Sequence, residues 1–167
     1  HNCPPSSAVG RLFDAAAAIT GICQTATFEG QAPMYLEQVA RTCKGEALTL
    51  NLQSDHHGVL RSDWQGLLPV LTDPSLPQTD RAYIFHATLA QALLDQADAI
   101  RAQRGDFAVG LCGGVFQNRL LTELVQVKLA RAGFRVYLPE QIPVNDGGLC
   151  YGQIIEAAAM LRETTRD

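Results

Sequence analysis

Three glycine-rich junctions hold the polar residues best placed, by type and spacing, to do chemistry. The first is Cys112-Gly113-Gly114-Val115-Phe116-Gln117-Asn118, which follows the apolar run Phe107–Leu111. A buried strand therefore feeds two glycines and then a helix. Glycines let backbone approach a ligand closely, and a helix start offers free N–H groups at the positive end of its dipole. Asn118, about one turn in, can set its amide on a ribose or a base. Gly113-Gly114 serves equally as a tight strand-to-helix turn, since a lone pair of glycines is a weak motif.

The second junction, Pro143-Val144-Asn145-Asp146-Gly147-Gly148, also leads into a helix. Asp146 reads either as a hard oxygen ligand for a metal beside phosphates or as the cap of that helix, and capping aspartates are far commoner. The third is Ser6-Ser7-Ala8-Val9-Gly10-Arg11-Leu12-Phe13-Asp14. Gly10 and Asp14 stand four apart and share one helix face. There the glycine clears room for a group the carboxylate can bind, such as ribose hydroxyls. A surface aspartate near a helix start explains the same residues. Three such junctions are more than caps alone require.

Other candidates carry less. His56 and His57 lack a third ligand at metal spacing and read as solvated turn histidines. His86, between Phe85 and Leu89 on a long helix, reads as a packed histidine. Cys112 beside a helix start suits an activated thiol, but no base accompanies it. Neither a Ser-His-Asp elbow nor a P-loop is present.

Periodicity supplies the elements that must position these residues. Ser7 is the expected cap of a helix with Val9, Leu12, Phe13, Ala16, Ile19 and Ile22 at helical spacing and Gly21 near its end. A second helix starts at Pro33 and runs to Gly45. Ala47–Leu52 alternates as a half-buried strand, His56-His57-Gly58 is a turn, and Val59–Arg61 is a short strand. Trp64–Leu71 makes a turn or two of helix before Asp73-Pro74. The longest helix spans Asp80–Arg104 and ends at Gly105. There follow strand Phe107–Leu111, helix Val115–Ala132 stopped by Gly133, and strand Phe134–Leu138 ended by Pro139. Helix Asp146–Arg162 and a polar tail over 163–167 close the chain. The β-α-β-α order implies parallel strands with crossover helices.

Composition bounds the class. The 167 residues are 47% hydrophobic with a mean hydropathy of 0.00, which supports a core and argues against disorder. Acids outnumber bases 17 to 13, with no basic stripe, which argues against a nucleic-acid partner. No apolar run reaches the roughly 18 residues of a membrane helix. Five cysteines without C-x-x-C spacing read as reduced thiols of a cytoplasmic protein. An α/β domain rarely opens on a helix, because helices need a sheet to pack on. The chain is therefore expected to be the C-terminal part of something longer.

Four motifs in order carry a resemblance. They are Ser6-Ser7 with Gly10-Arg11-Leu12-Phe13-Asp14-Ala15, then Phe28-Glu29-Gly30-Gln31-Ala32, then Gly113-Gly114-Val115-Phe116-Gln117-Asn118-Arg119, then Pro143-Val144-Asn145-Asp146-Gly147-Gly148 with Gly152-Gln153. Together they resemble the C-terminal end of the HypF family, the carbamoyltransferases of nickel–iron hydrogenase maturation. That end is similar to the TsaD-type tRNA threonylcarbamoyltransferases, which have the actin-like ATPase (ASKHA) fold. The resemblance implies an α/β, helix-rich C-terminal lobe with a small mixed sheet and a helical insertion. Residues 1–167 would be the C-terminal part of the TsaD-like domain. It implies an enzyme that uses ATP and carbamoyl phosphate, via carbamoyl-adenylate, to carbamoylate the C-terminal cysteine of its partner HypE, en route to the cyanide ligands of the iron. Carried over by motif, Asp14 and Asn118 would contact ribose or adenine, Gly113 and Gly114 would line the phosphate side, and Gly30 would touch the nucleoside. Asp146 would be the one ligand this half supplies to a divalent metal ion.

The sequence also departs from the family pattern. Cys112 stands where a serine commonly precedes Gly-Gly, and a thiol is the weaker hydrogen-bond partner. Val9 adds a residue between the serine pair and Gly10. The His-x-x-x-His metal pair and the acylphosphatase, zinc-finger and YrdC-like domains have no counterpart here. A TsaD-like tRNA-modifying enzyme and a non-catalytic nucleotide-binding or scaffold module are the alternatives. The wording of Gly10–Asp14 and Gly30–Ala32 favours HypF over the former.

Overall fold

Phenylalanine and alanine at helical spacing bury one side of α1 (Val9–Ile19) through Phe13, Ala16 and Ala17. The computed structural model describes residues 6–164. Ser7 does not cap α1: Ala8 is the N-cap, and the Ser6 hydroxyl accepts the Ala8 N–H at 3.2 Å. Gly21, at φ +76°, ends the helix in a Schellman motif. The Ile22 N–H reaches the Ala17 carbonyl at 2.9 Å and the Gly21 N–H reaches that of Ala18 at 3.1 Å. Ile22 thus lies past the helix but still packs on the core.

Helix α2 (Gln31–Ala40) begins two residues before Pro33 and stops short of Gly45. Gly30, left-handed at φ +83°, is its N-cap, and the Gln31 side chain accepts the Thr27 N–H at 2.6 Å. Next comes a hairpin, β1 (Asn51–Ser54) antiparallel to β2 (Leu60–Asp63). The Asp55 carboxylate sets its turn by accepting the N–H groups of His57 and Val59. The strand thus lies later than Ala47–Leu52. Leu48 gives its N–H to the Thr88 hydroxyl at 3.0 Å instead of to a strand. A 3-10 turn (Trp64–Leu67) runs into α3 (Leu68–Thr72), as the sequence suggests.

The spine is α4 (Gln78–Arg104), which starts two residues earlier than expected and packs on α1, α2, α3 and α5. Its buried side includes Ala82, Phe85, His86, Ala90 and Ala97. Beyond it, β3 (Ala108–Gly110) and β4 (Arg135–Tyr137) pair in parallel across α5 (Arg119–Arg131), which buries Leu121, Val125 and Leu129. Val109 faces Val136 on the packed side, while Ala108, Gly110, Arg135 and Tyr137 are exposed. The expected buried strand is therefore covered on one face only among the described residues. The β3–β4 pair and the hairpin are separate two-stranded sheets.

The expected helix Val115–Ala132 breaks at Asn118: a 3-10 turn (Gly114–Gln117) precedes α5. Likewise a 3-10 turn (Asp146–Gly148) precedes the last helix, α6 (Leu149–Thr164), which runs past Arg162. Residues 165–167 of the expected tail, and Cys3, lie outside the described residues. Cys23, Cys43, Cys112 and Cys150 are free thiols. Among the described residues no helix is long and apolar enough to cross a membrane.

Replacing Gly21 tests the Schellman turn. A Cβ there would meet only the Gln78 amide at 3.5 Å, so the cost is conformational. Gly21→Ala is expected to lose about 1–2 kcal/mol in urea denaturation; an unchanged midpoint would mean the turn relaxes freely.

Candidate functional site

One groove, of about 900 Å³, gathers Gly10 and Asp14 of α1, Gly30 at the start of α2, Gly114 and Asn118 around the first 3-10 turn, and Asp146 of the last junction. Of the six residues expected to contact nucleotide or metal, Gly113 alone is not in its lining. Gly113 borders an apolar cavity of about 670 Å³ that shares Asn145 and Asp146 with the groove.

The two glycine junctions are tied to one another. Gly113 adopts φ +107°, a conformation side chains resist, and its N–H donates to the Val144 carbonyl at 2.7 Å. Gly148 has a different constraint: a Cβ would stand 2.6 Å from the Pro143 carbonyl oxygen. Cys112 is exposed, with no general base in contact among the described residues.

Asn118 is not one turn into a helix. It is the N-cap of α5, and its Oδ1 accepts the Leu121 N–H at 2.9 Å. Glu37, from α2, accepts the Leu120 N–H at 3.2 Å as well as the Arg41 guanidinium at 2.7 Å. The positive end of α5 is therefore filled from within the protein, contrary to the free helix start that the Gly-Gly junction suggested. The Gly114 and Val115 N–H groups do lack an acceptor among the described residues, and both residues line the groove.

The carboxylates differ in their surroundings. Asp14, half-buried, pairs with Arg11 at 2.9 Å across one turn of α1, an exposed bridge of little energetic weight. Asp146 is not a cap either: Asn145 accepts the Gly147 N–H at 3.1 Å in that role. Asp146 is exposed, and its carboxylate makes no hydrogen bond or ion pair among the described residues. No three His, Cys, Asp or Glu side chains converge among those residues. Asp146 therefore belongs to no preformed cluster of three such side chains.

Two groove carboxylates escaped the sequence reading. Glu29 sits inside the quoted Phe28–Ala32 motif, whose glycine drew the attention, and it lines the groove. Glu37 caps a helix that begins 82 residues away in sequence, so no local signal could reveal it. Behind the groove, His86 is fully buried, edge-on to Phe13 and Phe85 at 5.3 and 5.7 Å. His56 and His57 stack on the exposed hairpin turn with centroids 3.9 Å apart.

Residues 1–153 match the family described as carbamoyltransferase, Kae1-like domain, second subdomain. The chain belongs to the HypF carbamoyltransferase family. It is 35% identical over 154 residues to the carbamoyltransferase HypF of Synechocystis, covering 91% of this chain and 19% of that protein. It is 38% identical over 151 residues to HypF of Rhizobium leguminosarum, covering 90% and 19%. A crystal structure of full-length HypF in a phosphate- and nucleotide-bound form matches with a TM-score of 0.83 and 32% identity, over 93% of this chain and 21% of that one. The structure of HypF from T. kodakarensis matches with a TM-score of 0.79 and 25% identity, over 94% and 20%. The chain thus spans about a fifth of the length of its HypF relatives, and its helix-rich α/β fold is theirs.

Burial holds the His86 imidazole below its usual pKa, against smaller opposing effects of the Ala82 carbonyl and Glu37. Above about pH 6.5 the ring is neutral in both folded and unfolded chains, and its contribution is complete. Below that the unfolded chain takes up a proton that the native core resists. Stability is expected to fall by up to about 1.4 kcal/mol per pH unit until the native ring titrates. Urea midpoints at pH 7.5 and 5.5 check this; the loss in that window should shrink in His86→Phe.

Proposed function

We propose that this segment forms the nucleotide-side wall of the carbamoyl-transfer site in a HypF-type enzyme of the cytoplasm. In this reading ATP and carbamoyl phosphate are converted elsewhere in the enzyme to carbamoyl-adenylate. The C-terminal thiolate of HypE attacks the carbamoyl carbon, the bond to the AMP phosphate oxygen breaks, and AMP leaves from the groove. The thiocarbamate so formed is the precursor of the cyanide ligands of nickel–iron hydrogenase. The observation that carries the reading is the convergence of Asp14, Gly30, Gly114, Asn118 and Asp146, from four separate segments, on one groove. The phosphate- and nucleotide-bound state named for a related HypF structure supports it.

The residues divide the work by their chemistry. Asp14 accepts hydrogen bonds from ribose hydroxyls. Gly30 and Gly114 have open space where a Cβ would stand, so a nucleoside can approach their backbone. Asn118, its amide already engaged, acts by shaping the turn beside the ligand. The lining carries the carboxylates Asp14, Glu29, Glu37 and Asp146 against one base, Arg11, itself paired with Asp14. Such a groove repels a bare polyphosphate and favours one that arrives with a cation. Asp146 would hold a divalent ion by a carboxylate oxygen, and the ion would neutralise phosphate charge.

Asp146→Ala in the full-length enzyme is expected to lower metal occupancy and transfer while sparing carbamoyl-adenylate formation. Its melting temperature should not move, since the carboxylate supports no internal hydrogen bond; a destabilised enzyme with normal transfer would instead make Asp146 structural. Measured alone with ATP, carbamoyl phosphate and a HypE C-terminal peptide, the present chain should form no thiocarbamate detectable by mass spectrometry. Appreciable product would mean the site is complete within these 167 residues.

A further inference from the structure

Both ends of the Asn118 amide are committed, and one of them runs into the core. Oδ1 takes the Leu121 N–H, and Nδ2 lies 3.0 Å from Nε2 of His86 in α4. The other ring nitrogen of His86, Nδ1, lies 2.8 Å from the Ala82 carbonyl oxygen. A carbonyl only accepts, so Nδ1 carries the proton and Nε2 is left as a bare acceptor. That tautomer accommodates the NH2 group of Asn118 and rejects its oxygen. The direction of the amide is therefore dictated from inside α4.

Packing does not call for an imidazole at this position. The ring sits edge-on between Phe13 and Phe85, where an aromatic hydrocarbon would fill the space without burying a polar group. What a hydrocarbon lacks is the acceptor for Asn118. Asn118 in turn joins the 3-10 turn to α5, and the Thr122 hydroxyl braces the same joint by donating to the Phe116 carbonyl at 3.0 Å. Phe13, which touches the imidazole, immediately precedes Asp14 on the opposite wall. Among the described residues the one charged group that acts on the ring is Glu37 of α2; α1 and α5 present Phe13 and Asn118.

We propose that His86 is a positioning residue: from within α4 it orients the Asn118 amide and thereby sets the turn Gly114–Gln117 against Asp14 across the groove. The proposal deepens the nucleotide-site reading above and rests on it for its functional consequence.

Two substitutions in the full-length enzyme separate positioning from packing. His86→Phe fills the space but has no acceptor, whereas His86→Gln keeps an acceptor oxygen and packs less well. His86→Phe is expected to melt close to the wild type yet bind MgATP about tenfold more weakly at the site that Asp14→Ala abolishes. His86→Gln is expected to melt lower yet bind within about threefold of the wild type. Binding that follows the order of melting, with His86→Phe the better binder, overturns the proposal. If Asp14→Ala removes no MgATP binding from the wild type, it is the nucleotide reading that fails. Positioning is then judged by NMR of the Asn118 side-chain amide: protected from exchange in the wild type and His86→Gln, unprotected in His86→Phe. Equal protection in all three overturns it.

Discussion

Helix α4 can be approached closely from several sides because much of what it shows its neighbours is alanine. Ala82, Ala90 and Ala97 are buried along it, with Phe85 and His86 set among them. Helix axes meet at about 8–10 Å, the lower end belonging to small contact residues. The close approach brings the C-terminal half of α2 and the start of α5, which lie far apart in sequence, near enough for Glu37 to bond the Leu120 N–H. The groove is the space left where these converging helix ends and the α1 face fail to touch. The walls built by α1, α2 and α5 therefore depend on the packing of α4.

How much of this was legible in the sequence depended on the range of the interaction involved. Helix ends at Gly21, Gly105 and Gly133 were visible because a left-handed glycine acts within its own turn, and each has positive φ. The long helix and α5 showed their periodicity directly. What was hidden is settled at a distance. Leu48 spends its donor on Thr88, forty residues on, so the strand begins later than its alternation suggested. The start of α2 follows from Gly30 and from Gln31 bonding back to Thr27, where Pro33 pointed to a later start.

The candidate site divides in the same way. Glycine next to a polar residue marked each junction, and the structure brings nearly all of those residues to one groove. Their individual tasks were not readable. Asn118 caps α5 and binds His86, and Asn145 does the capping expected of Asp146. In each case a neighbour that sequence reasoning had no cause to weigh takes the hydrogen bond and frees or commits the residue beside it.

Helix α6 represents a different kind of order from the rest. Leu149, Ile154 and Ile155 are 63%, 66% and 54% exposed, so little buried apolar surface shields its backbone hydrogen bonds. Amide hydrogens there exchange through local fraying, whereas those beside Phe85 and Val125 wait for the whole chain to open. This chain taken alone is therefore expected to have a firmer tier around α4 and a softer one at α6, with the helical signal of α6 lost first on heating. The short turn carrying Asp146 leads directly into that helix, which puts one wall of the groove on the softer tier and the Asn118 wall on the firmer one.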